Sequence, residues 1–319
     1  MPDDAMIRLD SVSKTYADGT TAVADLSLDV GRGEICVLVG PSGCGKTTTM
    51  KMINRLIDPT SGSVLVDGQD VAATNPTELR RRIGYVIQNV GLFPHQRVRD
   101  NVMTVPRLLG WDRRRARSRA DELLELVGLD PVLHGNRYPA QLSGGQRQRV
   151  GVARALAADP VVLLMDEPFS AVDPVARERL QIEFLRVHAE VGTTVVLVTH
   201  DIDEAVRLGT RVAILREGGH LEQYAPPAEL LTAPATDFVA GFVGSDRMVK
   251  ALSVMPLATD DLEPGTAEAA VSSDVDLGRA LVALLAGGGR VEVRDGDRSL
   301  GVLTADGLAR QAARRSLIR

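Results

Sequence analysis

The chain has 319 residues, 44% hydrophobic and 25% charged, with a formal net charge of −5. That length allows one large domain and a small one, and the ordinary composition excludes a fibrous or disordered chain. The negative balance gives no electrostatic reason to expect DNA or RNA as a partner.

The opening residues Met1–Met6 lack the charged start and apolar core of a leader peptide. No apolar run approaches the ~20 residues that a membrane-spanning helix needs, so work at a membrane is expected only through a partner. The two cysteines, Cys36 and Cys44, fall in one strand–loop segment. That placement argues against a disulfide framework and fits a reducing compartment.

Over residues 1–245, short β-rich runs alternate with helical patterns, the signature of an α/β fold with a mostly parallel core sheet. Ile35–Val39 predicts a buried strand running into a glycine-rich turn, and Thr48–Leu56 predicts the helix that follows. Arg113–Leu126, rich in Arg, Glu and Leu, predicts a helix within an inserted helical subdomain spanning about residues 90–160. Arg147–Ala158 reads as an amphipathic helix. Val161–Met165 predicts a second buried strand with no polar residue before Asp166, and Thr194–Val198 a third, ending just before Thr199 and His200. Residues 246–266, with Pro264, Gly265 and the acidic Asp260, Asp261 and Glu263, read as a linker. In residues 267–319, a helix over Leu277–Leu285, ended by Gly287–Gly289, precedes strands at Arg290–Arg294 and Ser299–Leu303 joined by an Asp295–Gly296 turn. A helix over Asp306–Ala313 closes this small α+β module.

Between the first strand and its helix, Gly40, Pro41, Ser42, Gly43, Cys44, Gly45, Lys46 and Thr47 satisfy the P-loop pattern in the required setting, with Thr48 next in line. Glycines let the loop curl so that its N–H groups face phosphate oxygens, and the helix start adds a positive end. Lys46 can neutralise β/γ-phosphates, and the Thr47 hydroxyl can ligate Mg²⁺. Cys44 lies inside this loop, so a thiol reagent there is expected to block nucleotide. Asp166 and Glu167 end the second buried strand, where ligands bind in open α/β sheets. One carboxylate there can hold Mg²⁺ through water and its neighbour can polarise an attacking water. Ser143, Gly144, Gly145 and Gln146 open the Arg147–Ala158 helix as a second phosphate-binding arrangement, which suggests ATP held between two chains.

Taken with Gln88, Met165–Pro168, Ser170–Asp173 and His200, these motifs resemble the full set of an ABC transporter nucleotide-binding subunit, in family order over about residues 7–245. The resemblance implies a P-loop ABC ATPase core with an inserted helical subdomain and an antiparallel β subdomain. It also implies a head-to-tail homodimer that grips each ATP between Lys46 of one chain and Ser143, Gly144 and Gly145 of the other. Tyr16 would then stack on adenine, and Gln88 would bind Mg²⁺ or the attacking water and report nucleotide state to a membrane permease. Glu167 would be the catalytic base, Asp173 would bridge the two sites, and His200 would contact the γ-phosphate.

Ile83–His95 and Phe242–Lys250, the latter with its Gly-x-Asp-Arg run, are similar to segments of glycine betaine/choline/proline importer ATPases. That likeness implies uptake of quaternary-amine osmoprotectants, a solute-binding protein outside, and a peripheral place on the cytoplasmic face of the membrane. The tail is similar to a single CBS module where such importers often carry a pair; pairing across the dimer and a remnant that caps the fold are both open. Other readings are an importer ATPase for an amino acid or sugar, a soluble ABC ATPase, and a CBS-type nucleotide sensor. The basic run Arg113–Arg119 reads as a solvated helix paired with Asp121, Glu122 and Glu125, or as a face toward anionic lipid. Arg314, Arg315 and Arg319 read as a frayed basic tail or a membrane contact. His95 and Trp111 fit a permease-facing surface, though His95 also suits the turn after Pro94.

Overall fold

The computed structural model describes residues 5–88, 91–170 and 172–317. Met1–Asp4, Asn89, Val90, Ala171, Ile318 and Arg319 lie outside the described residues, and parts of the readings above fall on them. The chain divides into two compact units, Met1–Tyr224 and Ala225–Arg319.

The first unit opens with a β-hairpin, β1 (Ala5–Thr15) and β2 (Thr21–Gly31), paired antiparallel with Leu9 opposite Leu28. Then come β3 (Ile35–Val39), α1 (Lys46–Ile53), β4 (Ser61–Val66), β5 (Gln69–Asp70), α2 (Pro76–Arg82) and β6 (Ile83–Val86). A helical stretch follows: α3 (Val98–Val102), α4 (Thr104–Leu108), α5 (Arg113–Leu126), α6 (Pro131–His134) and α7 (Gly144–Leu156). β7 (Val162–Asp166), α8 (Pro174–Val191), β8 (Thr194–Thr199), α9 (Ile202–Leu208), β9 (Arg211–Arg216) and β10 (His220–Ala225) complete it. The predicted strands thus fall within a residue of their places. α1 starts two residues earlier than Thr48 because Gly45, at φ 94°, takes the left-handed cap position that no side chain tolerates well.

Two sheets form the unit. One runs β2-β1-β4-β5, and the other runs β10-β9-β3-β8-β7-β6. In the second, β3 pairs parallel with both β8 and β9, and β7 pairs parallel with β8 and β6. Every residue of β3 and β8 is buried, as expected for parallel strands covered on both faces. One buried cluster joins the two sheets, from Ile7, Leu9 and Leu26 through Met50 and Met52 of α1 to Leu38, Leu164 and Val196.

Side chains cap the helices that set the site. Asp112 accepts from the Arg114 and Arg115 amides at the start of α5, and Asp173 accepts from the Ala176 amide at the start of α8. The arginine-rich face of α5 is paired much as the solvated-helix reading holds: Arg119 with Glu122 and also Asp159, Arg117 with Asp121. Arg115 lies over the Trp111 ring, 3.7 Å from its centroid.

The second unit holds α10 (Pro227–Thr232), α11 (Asp237–Val243), α12 (Arg247–Leu252), β11 (Ala270–Ser272), α13 (Leu277–Ala286), β12 (Arg290–Asp295), β13 (Arg298–Thr304) and α14 (Ala305–Leu317). β11 pairs parallel with β12, and β12 antiparallel with β13. The segment read as a linker contains α12, and its Glu263 bridges to Val302. Leu277, Ala280 and Leu284 of α13 are buried, as are Val291, Val293, Val302 and Leu303.

Gly84 has ordinary backbone angles, yet a Cβ there would stand 2.5 Å from the Ala155 carbonyl oxygen and 3.0 Å from Leu163 Cδ1. β6 can therefore lie against α7 only with glycine at this point. Gly84→Ala is expected to lose about 1–3 kcal/mol of stability by overpacking. Denaturant unfolding measures it, and an unchanged midpoint would contradict the packing argument.

Candidate active site

The P-loop lies between β3 and α1, and its shape depends on close backbone approaches. A Cβ at Gly40 would meet the Leu215 carbonyl oxygen at 2.2 Å, and one at Gly45 would meet the Ala22 carbonyl oxygen at 2.2 Å. Gly43 has open space around it but sits at φ 81°. Lys46, 7% exposed, donates its ammonium to the Gly40 and Pro41 carbonyls at 2.7 and 2.9 Å. The loop thus offers a curled backbone, a helix start and a fixed cation at one place, the donor set a phosphate chain requires. Cys44 is fully buried, with its sulfur 3.6 Å from the Lys46 nitrogen. That corrects the expectation of ready attack by a thiol reagent, because the thiol faces the interior rather than the loop's open side.

Gly45 also brings β2 against the loop, and the β1–β2 turn carries Tyr16. Its hydroxyl lies 3.5 Å from the Thr48 hydroxyl, and its ring is 41% exposed. An aromatic face therefore stands beside the start of α1.

Across the sheet, the Thr47 hydroxyl donates to Asp166 at 3.1 Å. Burial pushes the Asp166 carboxyl above its ordinary range and Glu167 adds to the rise, while the Thr47 hydrogen bond and the Lys51 and Lys46 charges oppose it. A hydroxyl and a carboxylate so paired are hard oxygen donors that suit Mg²⁺, whose remaining ligands are commonly water and substrate phosphate. Among the described residues no three His, Cys, Asp or Glu side chains gather into an all-protein metal cage.

Glu167 links the other predicted residues. Its carboxylate accepts from the Gln88 amide at 2.9 Å and lies 3.2 Å from His200 Nδ1. Glu167 sits at φ 44°, a left-handed conformation costing on the order of 1–3 kcal/mol for a residue with a side chain. Hydrogen bonds hold it there: its amide donates to the Val198 carbonyl at 3.0 Å, and the Ser170 hydroxyl donates to its carbonyl at 2.9 Å.

Ser143 and Gln146 form a reciprocal cap at the start of α7: the Ser143 hydroxyl accepts from the Gln146 amide, and the Gln146 side chain accepts from the Ser143 amide. No hydrogen bond among the described residues ties them to the P-loop cluster. Gly144 and Gly145 occupy the first helical turn without positive φ. Asp173, expected to bridge two sites, serves within this chain as the cap of α8.

A polar layer beneath His200 escaped the sequence reading. Glu204 is buried and accepts from the Thr199 hydroxyl and from the Gln181 amide, the latter at 3.0 Å. The run Asp201-Ile-Asp-Glu204 signals a helix start, and Asp201 does cap α9, but that pattern places Glu204 in solvent rather than under the end of β8.

The family model described as ABC transporter matches residues 23–170. The osmoprotectant import ATP-binding protein OsmV of Salmonella typhimurium is 53% identical over 251 residues, 77% of this chain and 65% of that protein. The chain thus matches just under two thirds of that relative's length. The glycine betaine uptake system ATP-binding protein YehX of Escherichia coli is 52% identical over 254 residues, covering 79% of this chain and 82% of that one. A solved dimeric ATP-binding cassette in a post-hydrolysis state with ADP and phosphate superposes with a TM-score of 0.62 at 36% identity, covering 70% of this chain and 99% of that chain.

Burial raises the Glu204 pKa above its ordinary 4.5. Above that pH the folded chain holds more protons than the unfolded one, so this group's contribution to stability falls as pH rises through its folded pKa. Glu204→Gln lacks that titration. Its stability relative to the parent is expected to rise with pH from about 4.5 upward, read from thermal midpoints across a pH series. Parallel curves would contradict the assignment.

Proposed function

The chain belongs to the ABC transporter family of ATP-binding proteins, and from that premise we propose that it hydrolyses ATP to drive import of quaternary-amine osmoprotectants such as glycine betaine, choline or carnitine. The observation that carries the catalytic part is Glu167, held in a strained backbone between Gln88 and His200 beside the Thr47–Asp166 pair. The solute class rests on what the relatives are named for.

In the proposed reaction ATP is the substrate and water the nucleophile. Lys46 exchanges its carbonyl partners for β/γ-phosphate oxygens, and the Tyr16 ring stacks on adenine. Thr47 and Asp166, with Gln88, would hold Mg²⁺, which supplies charge neutralisation at the phosphate oxygens. Glu167 accepts the proton of the attacking water, Gln88 and His200 fix its carboxylate, and His200 faces the γ-phosphate. The bond from the γ-phosphorus to the bridging oxygen breaks, leaving ADP and phosphate.

A second copy of the chain completes each site in this reading. A Cβ at Gly145 would touch only Leu180 Cδ1, at 3.5 Å, so nothing among the described residues requires glycine there. Glycine in a helix costs about 1 kcal/mol relative to alanine, and a close approach from outside the chain accounts for it. Ser143, Gly144, Gly145 and Gln146 of one protomer would then meet the ATP held by its partner's P-loop, with Asp173 between the two sites. A groove of about 350 Å³ lined by Ile83, Gly84, Tyr85, Phe93 and Val105 adjoins the segment carrying Gln88 and suits a helix of the permease. Among the described residues no helix is long and apolar enough to cross a membrane. As the ATP-binding partner of a permease, the subunit would sit peripherally on the cytoplasmic face, with a solute-binding protein on the far side.

The proposed division of labour is an ATPase domain over residues 1–245, a linker over 246–266 and a single CBS-like module over 267–319. The helix–strand–strand–helix order of α13, β12, β13 and α14 supports the last.

Glu167→Gln is expected to lower turnover by about 10²–10⁴-fold while ATP binding persists. Hydrolysis at the parent rate would sink the mechanism. Uptake of labelled glycine betaine, choline and carnitine by the reconstituted complex tests the solute class. ATP-dependent uptake of none of them, with hydrolysis intact, would remove the osmoprotectant reading and leave the ATPase.

A further inference from the structure

Away from the nucleotide cluster, a cavity of about 290 Å³ is lined by five arginines, Arg97, Arg99, Arg107, Arg113 and Arg117, against one carboxylate, Asp100. The chain as a whole carries a net charge of −5, so this concentration of positive charge runs against its balance. The carboxylates within reach are already engaged. Asp100 pairs with Arg107 at 2.8 Å, and Asp121 pairs with Arg99 at 2.5 Å and with Arg117 at 3.9 Å. The Arg97 guanidinium reaches only the Asn136 side-chain oxygen, at 3.4 Å, and the Arg113 guanidinium has no hydrogen-bond or ion-pair partner among the described residues.

The floor of the cavity is rigid. Arg99 is 8% exposed and donates to the Pro131 carbonyl at 2.9 Å and to Asn136 at 3.1 Å. A Cβ at Gly135 would stand 2.6 Å from Arg99 Cζ, so glycine is what admits the guanidinium. The backbone is strapped as well: the Val98 amide donates to the Arg137 carbonyl and the Arg99 amide to the Gly135 carbonyl. Arg97 and Arg99 at the start of α3 and Arg113 at the start of α5 thus converge with the Gly135–Asn136 turn on one concave surface. There Arg99 is held by its own partners, and Arg97 and Arg113 offer planar donor forks.

The geometry points to a binding site for a compact phosphate-bearing anion in this cavity, separate from the P-loop. Guanidinium forks recognise phosphate by paired hydrogen bonds. Two cations without carboxylate partners in a concave setting repel each other until an anion sits between them. The volume lies at the lower edge of small-molecule pockets, which favours a diphosphate or a phospholipid headgroup over a larger ligand. An anion seated there would bridge α3, α5 and the 135–136 turn, and so brace the helical stretch whose last helix begins at Gly144.

The test uses the full chain carrying Lys46→Ala, so that the P-loop does not compete for phosphate. Inorganic pyrophosphate is titrated calorimetrically, and vesicles of phosphatidylglycerol or of phosphatidylcholine are tested by co-sedimentation. For a soluble source, saturable pyrophosphate binding is expected that salt weakens. The double variant Arg97→Gln with Arg113→Gln is expected to weaken it by about tenfold or more, and Arg298→Gln, an exposed arginine elsewhere, is expected to leave it unchanged. For a lipid source, the same pattern is expected with phosphatidylglycerol vesicles and not with phosphatidylcholine. If the glutamine pair fails to fold, Arg97→Lys with Arg113→Lys keeps the charge, loses the fork, and is expected to bind more weakly than the parent. Binding of neither probe, or binding that the pocket variants leave intact, overturns the proposal.

Discussion

The site depends on one registration, that of the parallel strands in the central sheet. Val39 stands opposite Thr199, Val198 opposite Asp166, and Met165 opposite Val86. The carboxyl ends of β3, β8, β7 and β6 therefore finish in one row, and the P-loop, His200, the Asp166–Glu167 pair and Gln88 emerge side by side from it. Strands buried on both faces carry no apolar–polar alternation to pin their register. Polar latches at the opposite ends of the strands do so here. The Thr194 hydroxyl accepts from the Gly33 amide, and the Thr210 hydroxyl both accepts from the Ile35 amide and donates to the Ile35 carbonyl. Side chains far from the chemistry thus set which atoms meet at it.

What that row brings together is electrostatically awkward. Asp166, Glu167, Asp201 and Glu204 crowd the strand ends, opposed by Lys46, Lys51 and Arg177. Burial raises both Asp166 and Glu204, and neighbouring carboxylates add to each. A polyphosphate chain entering beside these acids brings more negative charge. On the proposed reading a divalent cation between acids and phosphates would offset that crowding, and the Thr47–Asp166 pair would supply two of its oxygen donors. Glu204 lies deeper and does different work: through Thr199 it ties α8 and α9 to the last residue of the strand that presents His200.

The parts legible in the sequence are those where chemistry demands a residue type at a fixed spacing. Gly40, Gly45 and Lys46 announce the loop because backbone carbonyls crowd both glycines and a cation must follow them. Ile35–Val39 and Val161–Met165 announce strands because such uninterrupted apolar runs have no solvent face. The grouping of Gln88, Glu167 and His200 was reached by family likeness; spacing along the chain carries no sign of it, since parallel pairing joins residues far apart in sequence. The left-handed backbone of Glu167 left no trace either, because glutamate is not the residue such a conformation selects. Glu204 was hidden by its own context, a helix-capping run that normally faces water. Cys44 lies in a loop, yet its thiol is fully buried, and sequence position alone does not separate a buried loop side chain from an exposed one.

Glycines separate demands made inside the chain from those made outside it. Gly40, Gly45, Gly62 and Gly84 each face a backbone carbonyl closer than any Cβ could stand, so the fold alone explains them. Gly145 faces none, has no positive φ, and sits where glycine weakens a helix. A residue that costs local stability without relieving local crowding points to a surface that something else must approach closely. The P-loop cluster holds catalytic groups and a phosphate cradle without a second set of donors on its open side, while the start of α7 holds donors without catalytic groups. Two copies related by a two-fold axis would match each half to its complement twice over, the closed symmetry that identical subunits favour. On that reading hydrolysis is tied to pairing by construction, because neither half-site can stabilise the transferring phosphate fully alone, and the work passed to a membrane partner is the closing and parting of the pair.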